Sequence, residues 1–276
     1  MKKFIFAMFA MALLITSCSD SSDEIENVAQ DVAAKYEGYA NAGCAYFSNS
    51  ITDNQTVVVT AKTTNTADVT YTSDTWGTFT ISDATVAKSG AAYYITGSGT
   101  TLMGHAGATP KEYDCTLSGT VTNGNGEFTF TCPSVMGGLT IKIQQGDVPA
   151  ELVVPGTYSG FTKADCAYFK NSYTDGESAT ITFDDKEYTL TYESATWGTF
   201  TIENISVANE NGTFVLSGSG KTLMGHAGAT AKEYDCTFTG SVDVAKSNYK
   251  LSFSVPSVMG GLTIELNPGT APTTEN

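Results

Sequence analysis

Apolar and polar residues alternate with a period of two over long stretches of this chain. Between 234 and 243, Tyr234, Cys236, Phe238, Gly240 and Val242 share one face, and Asp235, Thr237, Thr239, Ser241 and Asp243 share the other. That is the signature of a half-buried strand. Leu251, Phe253 and Val255 against Ser252 and Ser254 repeat it, as do Leu262, Ile264 and Leu266 against Thr263 and Glu265, and Tyr188, Leu190 and Tyr192 against Thr189 and Thr191. Runs near 157–161, 179–183, 198–207 and 213–219 bring the total to about eight strands in a little over 110 residues, with no helix of any length between them. Eight short sequential strands bury one face by closing into an antiparallel up-and-down barrel, which removes exposed edges, or by pairing as a sandwich; the barrel is preferred. A membrane-spanning barrel needs strands of about 9–11 residues with an apolar outward band. The runs here are shorter and their polar face is Thr, Ser and Asp, so the pattern predicts soluble all-β barrels.

There are two of them, because the chain is a duplication. Thr75–Ile81 (TWGTFTI) recurs as Thr196–Ile202, Thr101–Thr109 (TLMGHAGAT) as Thr222–Thr230, Lys111–Thr116 as Lys232–Thr237, and Pro133–Ile141 (PSVMGGLTI) as Pro256–Ile264. The offset is 121 for the first three blocks and 123 for the last. The drift falls between Thr116 and Pro133, around the Asn123-Gly124-Asn125-Gly126 turn signal, as an insertion in a loop should. A period above 100 residues is too long for a solenoid, so each copy is expected to be a domain with its own core. Barrel 1 is assigned to residues 36–146 and barrel 2 to 156–269, with 147–155 as a short stiff linker carrying two prolines and 270–276 as a tail.

Several blocks carry a family likeness: the Tyr-x-Gly opening strand, Gly-Thr-Phe-Thr-Ile, the Gly-Ser-Gly then Met-Gly loop, Glu-Tyr-Asp-Cys-Thr, and the closing Pro-Ser-Val-Met-Gly-Gly-Leu-Thr-Ile. Both copies resemble the calycin-like, lipocalin-related β-barrel domains of bacterial surface lipoproteins. The resemblance implies an eight-stranded barrel with no established activity, and it transfers no agreed set of binding residues.

Charge and the N-terminus place the molecule. The 276 residues include 14 basic side chains, all Lys, against 29 acidic ones, for a formal charge of −15. Such a surface repels phosphate and has no Arg to grip it, which argues against nucleic acid as a partner. Residues 1–17 read as a secretory signal peptide, with Lys2 and Lys3 before the apolar run from Phe4 to Ile15, which is too short to span a bilayer of ~30 Å. Small residues before Cys18 resemble a lipobox, so Cys18 is expected to be acylated. Residues 18–35 become a lipidated acidic tether whose Ser/Asp run resembles the export tag of Gram-negative surface lipoproteins. The expected location is the outer membrane, lipid-anchored and exposed at the cell surface. Loss of Lys2 and Lys3 carries the charge to −17, which favours neutral, cationic or apolar partners.

Candidate chemistry is sparse. His105 and His226, the chain's two histidines, sit at matching positions in Leu-Met-Gly-His-Ala-Gly-Ala, a glycine-rich loop placed at a barrel mouth. One His per barrel makes no metal triad, and no Cys-x-x-Cys or Gly-x-Ser-x-Gly motif is present. Glu112 and Asp114 lie close enough in sequence to orient His105, but the reading is non-catalytic, with no metal and no cofactor. Haem capture through His105 or His226 with Met103 or Met224 would need those side chains to converge. Trp76 and Trp197 open matching strands near a rim, where they either pack into the core or stack on a ligand. Met103 with Met224 and Met136 with Met259 add adaptable apolar surface. Cys44 with Cys115, and Cys166 with Cys236, recur at the same places in each copy, suggesting one disulfide per barrel, against the alternative of buried thiols; Cys132 matches Val255 and reads as core filler.

Trp76, Met103, His105, Trp197, Met224 and His226 are therefore the candidate ligand-binding residues. The leading expectation is a surface lipoprotein whose barrels each hold a small apolar or amphipathic molecule. The alternative is an interaction or adhesion module that engages an extracellular protein or glycan through barrel loops. An interior rich in Phe, Tyr and Leu favours packed lumens and hence the second.

Overall fold

The computed structural model describes residues 26–104, 109–225 and 230–273. The polypeptide forms two consecutive closed barrels, each of eight antiparallel strands in simple sequential order. Barrel 1 comprises β1 (Ala34–Gly43), β2 (Ser50–Ala61), β3 (Thr66–Ser73), β4 (Gly77–Ser89), β5 (Ala92–Met103), β6 (Lys111–Thr122), β7 (Asn125–Cys132) and β8 (Leu139–Gln145). Barrel 2 comprises β9 (Gly156–Asp165), β10 (Ser172–Asp184), β11 (Glu187–Ser194), β12 (Gly198–Glu210), β13 (Thr213–Met224), β14 (Lys232–Asp243), β15 (Tyr249–Val255) and β16 (Leu262–Pro268). Closure is made by β1 on β8, with Ala42 opposite Ile141, and by β9 on β16, with Ala164 opposite Ile264.

Alternation drives the closure. In β14 the inward positions Cys236, Phe238 and Val242 are buried while Asp235, Thr237 and Thr239 face solvent. Several strands are longer than the alternating runs suggest, up to 13 residues in β4, β10 and β12. Strand length is thus no argument about a membrane here. The orientation of the apolar face is: it points inward, and most outward positions are Thr, Ser, Asp, Glu and Lys, with Tyr94, Leu102, Phe183 and Leu223 as exposed exceptions. At the centre of barrel 1, Tyr71, Phe79 and Phe130 pack with ring centroids 5.1–5.6 Å apart; Tyr192, Phe200 and Phe253 do the same in barrel 2 at 5.0–5.4 Å. All six are fully buried, so these rings fill the lumen at that level.

The repeating unit begins earlier than the sequence suggests. A single helical turn, α1 (Val28–Asp31), precedes β1, and a second, α2 (Ala150–Val153), precedes β9 at the equivalent place. Ala29 and Val32 are buried in the first core, and Val153 and Val154 in the second. The Tyr36 hydroxyl donates to Val32 O (2.8 Å) and that of Tyr158 to Val154 O (2.5 Å), pinning each turn to its first strand. The segment assigned as tether therefore contains the start of barrel 1 from Val28 onward. The segment assigned as linker is the cap of barrel 2. The α1 turn meets the β2–β3 connection through Ala29 N–H to Thr64 O (3.1 Å), so it sits at the end where β1 begins. Both ends of each barrel chain lie there. The opposite end, the rim, carries the β1–β2, β3–β4, β5–β6 and β7–β8 connections and their counterparts in barrel 2.

Candidate functional site

The rim is where the two copies agree. Its connections span 44–49, 74–76, 104–110 and 133–138 in barrel 1 and 166–171, 195–197, 225–231 and 256–261 in barrel 2, each pair equal in length. At the capped end, 62–65 faces 185–186 and 123–124 faces 244–248, so both length differences lie there. Asn123 and Gly124 adopt φ of 52° and 80°, the two-residue hairpin their sequence predicts.

Apolar exposure follows the same division. Among the described residues, six large apolar side chains stand out at the rims in three matched pairs: Tyr46 (81% exposed) with Tyr168 (82%), Leu102 (50%) with Leu223 (51%), and Met136 (45%) with Met259 (46%). Met136 and Met259 both hold φ of 49°. Most of the other non-glycine residues in this left-handed region are Asn or Asp, which tolerate it. A methionine there costs backbone energy, and both copies accept that cost while leaving the residue about half exposed.

Beneath the loops each rim has an aromatic floor. Trp76 stacks on Phe47 at 5.8 Å, and Trp197 lies against Phe169 at 6.0 Å. Both tryptophans are buried and join the cores, as the packing reading expects. The serines before them hold the turns. Ser73 Oγ accepts the N–H groups of Thr75 and Trp76 (both 3.3 Å), and Ser194 Oγ those of Thr196 and Trp197 (3.2 and 3.1 Å). The indoles differ: the Trp76 Nε1–H donates to Thr52 Oγ1 (3.3 Å), whereas the buried Trp197 Nε1 has no protein partner. The hydroxyls of Thr101 and Thr222, at equivalent inward positions, are likewise buried without a partner.

In barrel 2 these residues bound a depression of about 500 Å³, lined by Trp197, Met224, Tyr234, Val258, Met259 and Leu262 among others. The structure thus brings Trp197 and Met224 together. In barrel 1 Met103 approaches the turn after Trp76, since a Cβ on Gly77 would lie 3.3 Å from its Cγ. His105 and His226 lie outside the described residues. Sequence reasoning missed Tyr46 and Tyr168, although both lie within a repeated Cys-Ala-Tyr-Phe.

One pair of polar groups differs below the floor. Gln55 in barrel 1 accepts a hydrogen bond from the Tyr71 hydroxyl (2.6 Å); Glu177, its counterpart, accepts from the Tyr192 hydroxyl (2.7 Å) and from Ser194 Oγ (3.0 Å). Burial pushes the Tyr71 hydroxyl up to about 12 and raises that of Tyr192 as well.

The expected disulfides are not present: Cys44, Cys115, Cys132, Cys166 and Cys236 are all free. Cys44 lies just past β1, whose partners are β2 and β8, while Cys115 is in β6, whose partners are β5 and β7. The Cys44 and Cys166 sulfurs instead accept the N–H groups of Tyr46 and Tyr168 (both 3.3 Å). The mutual influence of the neighbouring Cys115 and Cys132 thiols lowers the first and raises the second. Burial pushes the Cys236 thiol up to about 11.

A model of the calycin-like β-barrel domain matches residues 32–145 and again 154–267. No curated protein matches the chain. A crystal structure from Bacteroides fragilis NCTC 9343, described as a "putative outer membrane protein", is similar to it with a TM-score of 0.57 at 22% identity, over 88% of this chain and 99% of that one. At that identity the likeness speaks to fold alone. With the family model covering both barrels end to end, the chain belongs to the calycin-like β-barrel domain family, as two copies in tandem.

Proposed function

We propose that this protein is a non-catalytic binding lipoprotein of the outer membrane, anchored through Cys18, whose two barrels engage an extracellular protein or glycan through their rims. The observation that carries the reading is the three matched pairs of exposed apolar residues at the rims, Tyr46/Tyr168 and Met136/Met259 on connections whose lengths the two copies keep and Leu102/Leu223 at the ends of the strands that lead into them. Ring-filled centres turn the site outward, from lumen to mouth. A net acidic chain favours a neutral or cationic partner. Two like sites on one chain give avidity on a repeating partner, which multiplies apparent affinity by about 10²–10⁴ when both engage. A second reading, a small apolar or amphipathic ligand, is favoured by the depression beside Trp197 and by its unpartnered indole N–H.

The test is retention on panels of immobilised neutral polysaccharides and extracellular matrix proteins, comparing the native chain with Tyr46→Ala, Tyr168→Ala and the double variant. Each single substitution is expected to remove the avidity gain and the double one to abolish binding. Retention that survives the double substitution removes the rims from the function. Native mass spectrometry of protein purified from its host addresses the second reading, which requires a bound small molecule.

A further inference from the structure

Barrel 1 holds a pair of residues that barrel 2 does not. The Asn123-Gly124 turn sets Thr122 opposite Asn125, and the β6–β7 ladder continues to Thr116 opposite Thr131. One further step places Cys115 opposite Cys132. Both lie on the buried inward face. In barrel 2 the same step, beyond Thr237 opposite Ser254, places Cys236 opposite Val255. Directly opposed residues of antiparallel strands have Cβ atoms about 4.5–5.5 Å apart, a small adjustment from the roughly 3.5–4.5 Å of a disulfide.

We propose that Cys115 and Cys132 form a cross-strand disulfide that staples the β6–β7 hairpin of barrel 1 in the exported protein, while Cys44, Cys166 and Cys236 remain thiols. The oxidant is a disulfide, either a small molecule or a dithiol oxidase of the cell envelope. One cysteine thiolate attacks it to give a mixed disulfide and release one oxidant thiol. The second cysteine then displaces the other oxidant thiol, so two protein thiols are oxidised and one oxidant disulfide is reduced to two thiols. Because both sulfurs are buried in the closed barrel, the exchange takes place while the hairpin is forming. The compartment in which this happens rests on the export reading above; the pairing rests on register alone.

The experiment separates the two. The full chain is unfolded and refolded with glutathione disulfide, and a second sample is taken from the cell envelope. Each is denatured with a first alkylating reagent present, reduced, and labelled with a second reagent of different mass. The expected result in both samples is the second label on Cys115 and Cys132 only, with one linked peptide before reduction. Cys132→Val is expected to return Cys115 to the first label, and Val255→Cys to add Cys236 and the new thiol to the protected set. First label on Cys115 and Cys132 in the refolded chain, or a peptide joining Cys44 to Cys115, overturns the pairing. Protection in the refolded chain without protection in the envelope sample overturns the proposal through the compartment.

Discussion

At the residue scale the two barrels act as internal controls for each other. Trp76 has an acceptor in Thr52, whereas Trp197 has none although Thr174 occupies the equivalent position in β10. Thr52→Val is therefore expected to destabilise barrel 1 by about 1 kcal/mol, by leaving a buried N–H unmade, and Thr174→Val to change barrel 2 by much less. Urea unfolding followed by tryptophan emission reads both. Gly198 makes a sharper case. Its φ is 85°, and a Cβ there would sit 2.2 Å from the Leu223 carbonyl oxygen. Gly198→Ala is expected to cost about 1–3 kcal/mol or more by the same measurement. Glycine in the repeated Trp-Gly-Thr-Phe block is thus read from the sequence, but the carbonyl it must clear is not, because that contact comes from a strand 25 residues away.

Among the elements, the strands were legible and the caps were not. Tyr234 to Val242 announces β14 through strict alternation, and the repeat fixes its counterpart β6. The α1 and α2 turns are single helical turns with no period to detect, and the turns and their flanks share little beyond Val32/Val154, Tyr36/Tyr158 and Gly38/Gly160. They are held by tertiary burial, so Val154→Ala is expected to cost barrel 2 about 2 kcal/mol, seen as a lowered denaturation midpoint, despite lying in what looks like a linker. The cysteines show a different failure. Matching repeated positions joined Cys44 to Cys115, yet the Asn123-Gly124 turn already implied Cys132 as the residue facing Cys115. Duplication reports what the copies share; register reports what touches.

For the whole molecule, buried phenols tie stability to alkaline pH. Burial raises Tyr36 and Tyr71 in barrel 1 and Tyr158 and Tyr192 in barrel 2, Tyr71 to about 12. The unfolded chain releases these protons near the ordinary tyrosine value of about 10, before the folded one does, so their contribution is complete below that pH and is lost as pH rises toward and through 12. Urea midpoints are expected to fall between about pH 9 and pH 11, and Tyr71→Phe to flatten that fall for barrel 1. The rims and the double-barrel plan were written in the duplication itself, because repeated loops are visible without any fold. Packed lumens are expected from an interior rich in Phe, Tyr and Leu, but which rings meet at the centre required packing to see.

Chain entry and chain exit share one pole of each barrel. A lineage can therefore lengthen such a molecule by whole beads, splicing another unit after Pro268 or removing one before Ala150, without a crossover ever passing over the opposite pole. The same polarity means that any leash attached ahead of Val28 pulls on the capped pole and leaves the rim of the first bead facing away from whatever holds it.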